Sequence, residues 1–338
     1  MNSPISRSIF SLPLRAAAAA LILLFPQCGK VPVSNESNIE KITVGPGPED
    51  MVLDSLHGES RLLISCCSRR ENEEPYGEIV ACETGSGKQT ILVRAGEPPD
   101  LLFRPHGIYL EADKLYVISH EKEPDDHPVL IYTVRRDSLL LEEVIRSPLL
   151  HSPNALATGP DGAIFVVNDS GKRGSILEKA LKLKRAGVVR LEKDPEGTWS
   201  ATRVAGKLGY PAGINRIGNQ LYVGDAVLHR IHVYTISGNQ LIPGAEIQHV
   251  RGNDNIRIYR NQLLTPGHVK PFKFIGHARD PRKQSPVEVF LIDPQDGQIT
   301  SLFYSDGSVI SAGSTAIILD HSLFICQVFE PFLLKVSL

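Results

Sequence analysis

The sequence has no surplus of either charge: 36 Lys and Arg stand against 38 Asp and Glu, a net charge of -2. No run of one sign breaks that balance, which excludes a nucleic-acid surface and a polybasic membrane patch. Cysteine is scarce, at five residues. Cys66, Cys67, Cys82 and Cys326 have neither C-x-x-C spacing nor accompanying histidines, so they do not form a zinc site. Cys82 could meet Cys66 or Cys67 across a hairpin, but small buried apolar side chains are the simpler expectation. A G-x-S-x-G nucleophile elbow is missing. Gly85-Ser-Gly-Lys88 ends like a phosphate loop, yet Gln89 stands where Ser or Thr is required and the leading glycine is absent. Long 3.6-residue periodicity is lacking too, apart from Ile176 to Ala186 in a basic insertion, which argues against a helical architecture.

No apolar run reaches the ~20 residues that cross a bilayer. The unbroken stretch Ala16 to Phe25 follows Arg7 and Arg15 and suits the core of an export signal. Cys28 comes directly after it, where a bacterial lipoprotein carries its lipid, although Phe25-Pro26-Gln27 departs from the usual small-residue pattern. The expected organisation is a signal segment over 1–28, a polar tether over 29–40 and one folded unit over 41–338. Export to the periplasm, or to the outer membrane through a lipid on Cys28, follows from that reading.

What is present is repetition. One apolar strand type recurs six times: Arg61 to Ser65, Lys114 to Ile118, Ala163 to Val167, Gln220 to Gly224, Gln262 to Thr265 and Ser322 to Cys326. Each is followed by a second apolar strand, and turn-rich segments such as Ser237-Gly-Asn239 and Asp293-Pro-Gln-Asp-Gly297 lead to a third in most repeats. One more strand precedes each repeat, starting at Glu49, His106, Asn154, Ala212, Asp254 and Ser314. Four strands repeated six times make an all-β, six-bladed β-propeller with four-stranded blades around a central tunnel. The last repeat stops one strand short, so an N-terminal strand near Lys41 to Val44 should close the ring.

The strands that line such a tunnel run in one direction, so the residues opening them ring one mouth. Glu49, Asn154, Asp254 and Asn255 bring carboxylate and amide oxygens together there, and calcium takes 6–8 oxygens. Asp50, on the other face of its strand, is open to two readings: an ordinary buried acceptor, or the ligand of a second, deeper cation. A 14-residue spacing recurs between His106 and His120, Asn154 and Asn168, and Asp254 and His268. Antiparallel hairpins would set each pair side by side, giving an outer tier of His120, Asn168 and His268. Two histidines beside a Lewis-acid cation can activate water. Asp169 falls in the loop beyond Asn168 and belongs with Asn168 and His268 to the expected substrate pocket.

At Pro48-Glu-Asp50, Phe103-Arg-Pro-His-Gly-Ile108, Val117-Ile-Ser-His120, Asp254-Asn-Ile256 and Gly313-Ser-Thr-Ala316 the chain resembles the paraoxonase/arylesterase family, and more distantly the gluconolactonase-type propellers. The resemblance implies hydrolysis of a small-molecule lactone or aryl ester. It implies a catalytic calcium on Glu49, Asn154, Asp254 and Asn255, a structural calcium on Asp50 and the Ile108 carbonyl, and a dyad of His106 and His120. Two positions depart from the family pattern: Ala212 replaces an asparagine ligand of the first site and Ala155 an aspartate of the second. The family's cysteine pair between the termini is also missing, since Val336 stands at its C-terminal position. A non-catalytic binding propeller with a degenerate metal site is the competing expectation.

Overall fold

The computed structural model describes residues 38–70, 73–120, 127–172, 181 and 183–338. The signal segment, Cys28 and nearly all of the tether lie outside the described residues, as do most of Ile176 to Ala186 and the loop at Pro124. Six sheets follow one another along the chain, antiparallel except where Val93–Ala95 adds a parallel edge strand to Ser138–Ile145 in blade 2. Their inner strands are Pro48–Asp54, Pro105–Glu111, Pro153–Thr158, Pro211–Ile217, Arg257–Tyr259 and Gly313–Leu319, in blades 1 to 6. Neighbouring inner strands pack against one another, as the six-bladed propeller requires.

The six repeated apolar runs are the second strands of the blades, for example Arg61–Cys67 and Ile164–Asn168, and these two are buried along their whole length. Both faces of a blade are covered by its neighbours, so its central strands read as continuous apolar runs rather than alternating ones. Outer strands do alternate, as in Gln89–Ile91. Apolar clusters fill the wedges between blades: Leu63, Ile79, Val117 and Leu130 join blades 1 and 2, and Val167, Val188, Ile214 and Val223 join blades 3 and 4. All four described cysteines are free and buried, as expected for small apolar side chains.

Glycine is required where inner strands touch. A Cβ on Gly107 would lie 2.3 Å from the Asn154 carbonyl oxygen, and one on Gly213 would lie 2.3 Å from that of Asp254. Blade 6 is completed by Ile39–Thr43, which pairs antiparallel with Phe332–Ser337, Ile39 facing Val336. Ring closure therefore uses the expected N-terminal strand, beginning two residues earlier than Lys41. It is non-covalent, and Ile39 and Val336 both enter the apolar cluster there.

Candidate active site at one mouth of the tunnel

The inner strands share a local irregularity. In blade 1, Pro48 pairs with Cys66 and Asp50 with Ser65, so Glu49 bulges out of the ladder. Asn154 and Ala212 bulge in the same way, as do His106 with Gly107 and Ser314 with Thr315. In blade 5 the segment from Asp254 to Ile256 lies between an Asn253–Gly267 bridge and the Arg257–Leu264 pair. Proline suits the first position of a strand because it has no N–H to give the ladder, and a bulge just after it re-aims a side chain. Glu49, His106, Asn154, Ala212 and Asp254 accordingly line one cavity of about 330 Å³.

A second tier follows from a bond that repeats around the ring. Cys67, His120, Asp169, Ala226, His268 and Val328 each donate a backbone N–H to the carbonyl just ahead of their blade's inner strand. Five of these, all but Cys67, line the cavity. Here the expected tier needs correction: its member in blade 3 is Asp169, and Asn168 is absent from the cavity wall. Pro153 pairs with Asn168 whereas Pro105 pairs with Ser119, so the blade 3 hairpin is one residue longer than the 14-residue spacing assumes. Asn168 is instead a buried brace, accepting from the Ser152 N–H at 3.0 Å and donating to the Leu149 carbonyl at 2.8 Å.

Charges at the mouth are tightly paired. Glu49 Oε2 lies 2.6 Å from Arg69 Nη2 and 2.7 Å from His106 Nδ1. Burial alone would raise the Glu49 carboxyl, but Arg69, His106 and His268 outweigh it and hold it at about 2. Arg69 Nη1 is also 2.8 Å from His106 Nδ1. One tautomer cannot serve both contacts: a protonated Nδ1 donates to Glu49, and a bare one accepts from Arg69. Asp254 Oδ2 meets His268 Nε2 at 2.8 Å; burial raises the Asp254 carboxyl despite His268, with repulsion from Glu49 adding to the rise. The Tyr210 hydroxyl is pushed well up by burial and by Asp169, Asp254 and Glu49, with a hydrogen bond to Asp169.

His106 and His120 come together with ring centroids 4.2 Å apart and planes tilted by 32°. They stack rather than hydrogen-bond edge to edge. His120 Nε2 donates to the Pro153 carbonyl at 2.7 Å, which fixes its ring. His127 packs edge-on against His120 at 5.3 Å. Over the cavity, helix α1 (Pro271–Arg279) lays Phe274 on the His268 ring at 4.2 Å.

Glu49, Asn154, Asp254 and Asn255 carry the oxygen donors that a hard divalent cation takes, with the Arg69 guanidinium seated on Glu49 Oε2. Asn255 Oδ1 and Glu49 Oε2 are buried with no well-aligned hydrogen bond. Asn255 Nδ2 donates to Thr315 Oγ1 at 3.0 Å. Among the described residues no three His, Cys, Asp or Glu side chains converge as a metal cluster, so a cation there needs the amide oxygens of Asn154 and Asn255. The deeper pair does not fit, and this corrects the expected second calcium. Arg257 Nη2 lies 2.5 Å from Asp50 Oδ1 and 3.0 Å from the Ile108 carbonyl oxygen, the two groups assigned to that ion.

Sequence reasoning missed Arg69, Tyr210, Phe274 and Arg257. Arg69 lies two residues past the tier position of blade 1, where the buried Cys67 offers nothing polar to the mouth; a basic residue just beyond a repeated strand is a weak signal. Arg257 follows Asp254-Asn-Ile directly, but nothing local in the sequence says that its guanidinium turns into the tunnel.

Fold and site together define a six-bladed propeller with a polar, histidine-bearing cavity on its axis. Residues 78–334 match the family model described as Arylesterase, and the chain belongs to that family. It is similar to serum paraoxonase/arylesterase 2 of Canis lupus familiaris, 26% identical over 243 residues that cover 68% of this chain and 67% of that protein. It is equally similar to serum paraoxonase/arylesterase 1 of Mus musculus, 26% identical over 249 residues, 68% of each. Among solved structures, a luciferin-regenerating enzyme shares the fold with a TM-score of 0.57 and 11% identity, over 88% of this chain and 94% of that one.

Proposed function

We propose that the chain hydrolyses small lactones or aryl esters in the tunnel-mouth cavity. The observation that carries the proposal is the meeting of Glu49, Asn154, Asp254, His106 and His120 around one cavity of about 330 Å³; Asn255, next to Asp254 in the chain but outside the cavity lining, keeps a buried side-chain oxygen without a hydrogen bond. Membership of the arylesterase family supports the same reaction class. Glu49, Asn154, Asp254 and Asn255 would hold calcium, which when bound supplies a Lewis acid for the substrate carbonyl oxygen.

The protein's own groups handle the proton. Glu49 beside His106 Nδ1 favours the tautomer that leaves Nε2 bare, so His106 is the base. It takes a proton from water as the water oxygen bonds to the carbonyl carbon. That proton then passes to the leaving oxygen as the ester C–O bond breaks. His120, anchored on the Pro153 carbonyl, holds the His106 ring by stacking. Phe274 on His268 covers the mouth and limits water.

A non-catalytic binding propeller is the second reading, favoured by Ala212 in the ring and by Arg69 seated on Glu49. Hydrolysis of phenyl acetate and of γ- and δ-lactones, before and after EGTA, separates the two. Chelator-sensitive turnover is expected; no turnover at any calcium concentration sinks the enzymatic reading.

A further inference from the structure

We infer that Arg257 is a built-in cation of the deep tunnel, holding the seat around Asp50 permanently and excluding a metal ion from it. The guanidinium is nearly saturated. Nη2 donates to Asp50 Oδ1 at 2.5 Å and to the Ile108 carbonyl at 3.0 Å. Nε donates to the Met51 carbonyl at 2.8 Å and Nη1 to the Ile256 carbonyl at 3.1 Å. Asp50 is equally occupied: Oδ1 also accepts from the Met51 N–H at 2.9 Å and from Thr315 Oγ1 at 2.7 Å, and Oδ2 accepts from the Ile108 N–H at 2.8 Å. Only Oδ2, with its single donor, keeps a lone pair to spare, far short of the six or more oxygens that calcium needs. Arginine keeps its charge at every accessible pH. A second cation reaching for Asp50 Oδ1 or the Ile108 oxygen would meet that charge at contact distance.

Placement gives the group a mechanical part as well. Arg257 opens the inner strand of blade 5, whereas Asp50 and Met51 belong to blade 1 and Ile108 to blade 2. The side chain thus spans the tunnel and ties blades that are not all neighbours in the ring, as a bound ion between them would. It also lines the cavity at the opposite mouth, with Leu53, Tyr109, Asn215 and Ile317. The Asp50–Arg257 pair is neutral and almost fully buried, with side-chain exposures of 1% and 10%. A buried pair of this kind resists loss of one partner far more than loss of both.

The test uses the full chain, the metal alone and no substrate. Calcium per chain is measured by titration calorimetry and by elemental analysis after dialysis, for the wild type and Arg257→Ser. Melting temperatures are read in EGTA. The wild type should hold no more than one ion; none or one supports the strut equally, so failure of the proposed hydrolysis leaves this result readable. Two ions in the wild type overturn it. Arg257→Ser should melt roughly 5–10 °C lower in EGTA, because Asp50 is left buried without a counter-charge; an unchanged melting temperature overturns the strut. Should that variant fail to fold, Asp50→Asn with Arg257→Met replaces it. The double variant should melt above Asp50→Asn alone, and one that melts below it overturns the pairing.

Discussion

His106 and His120 sit a ring's thickness apart but are held by different partners, and that asymmetry divides their labour. The Nδ1 of His106 lies between Glu49 and Arg69 and serves one of them at a time, while His120 spends its Nε2 proton on a backbone carbonyl. If His106 is the base and His120 its support, His106→Gln should lower kcat by about 10²–10⁴-fold, the usual worth of a general base. His120→Gln should cost distinctly less and act partly through stability. Steady-state turnover of phenyl acetate, with melting temperatures for both variants, checks this. Equal losses in kcat at unchanged stability would mean that both rings carry protons.

At the scale of the element, helix α1 is fastened over the mouth by polar contacts as well as by the rings of Phe274 and Phe329. His277 is buried, with Nδ1 2.6 Å from the Lys283 carbonyl and Nε2 3.2 Å from Glu330. Arg70 reaches the same carboxylate at 2.9 Å. Burial would raise Glu330, but His277 and Arg70 outweigh it and hold the carboxyl below its ordinary 4.5. A depressed carboxyl contributes stability that is complete above that ordinary value and is lost as pH falls through the folded-state value. Helix docking should therefore weaken below about pH 4.5. In Glu330→Gln it should be weak already at neutral pH. Amide exchange of residues 271–279 against pH is the measurement, and a profile that Glu330→Gln leaves unmoved would rule the latch out.

The repeated strands were the most legible elements, because a blade covered on both faces must spell its central strands as apolar runs, and six of them fix the architecture. The mouth was readable where chemistry coincides with the opening of an inner strand, as at Glu49, His106, Asn154 and Asp254. What could not be read was register. A one-residue difference in the blade 3 hairpin exchanged Asn168 for Asp169, and periodicity carries no sign of a bulge. Arg69 and Arg257 were hidden for another reason. Whether a guanidinium turns inward depends on carboxylates far away in sequence, Asp50 lying 207 residues from Arg257.

For the whole molecule, the seam in blade 6 is where a strand from one end of the described residues meets a strand from the other, so the ring is expected to open there. Ile39 lies directly opposite Val336 in an antiparallel ladder, where Cα atoms are about 4.5–5.5 Å apart, within disulfide range. Ile39→Cys with Val336→Cys should therefore oxidise to a bond that closes almost the entire chain into one loop. On the chain-entropy account such a loop contributes roughly 5–6 kcal/mol. The melting temperature should rise under oxidising conditions and return to the wild-type value on reduction. A bond that forms without raising it would show that the seam is not where unfolding begins.

The same seam sets an order of events during synthesis. Ile39–Thr43 leaves the ribosome before any blade exists, and its pairing partner, Phe332–Ser337, leaves last. At ~5–20 residues per second, a chain of this length keeps its first strand waiting for roughly 15–60 s. Throughout that interval five blades can assemble while the sixth has nothing to close with. The protein is thus finished in a single late stitch, and whatever guards that strand while it waits decides how many chains become rings.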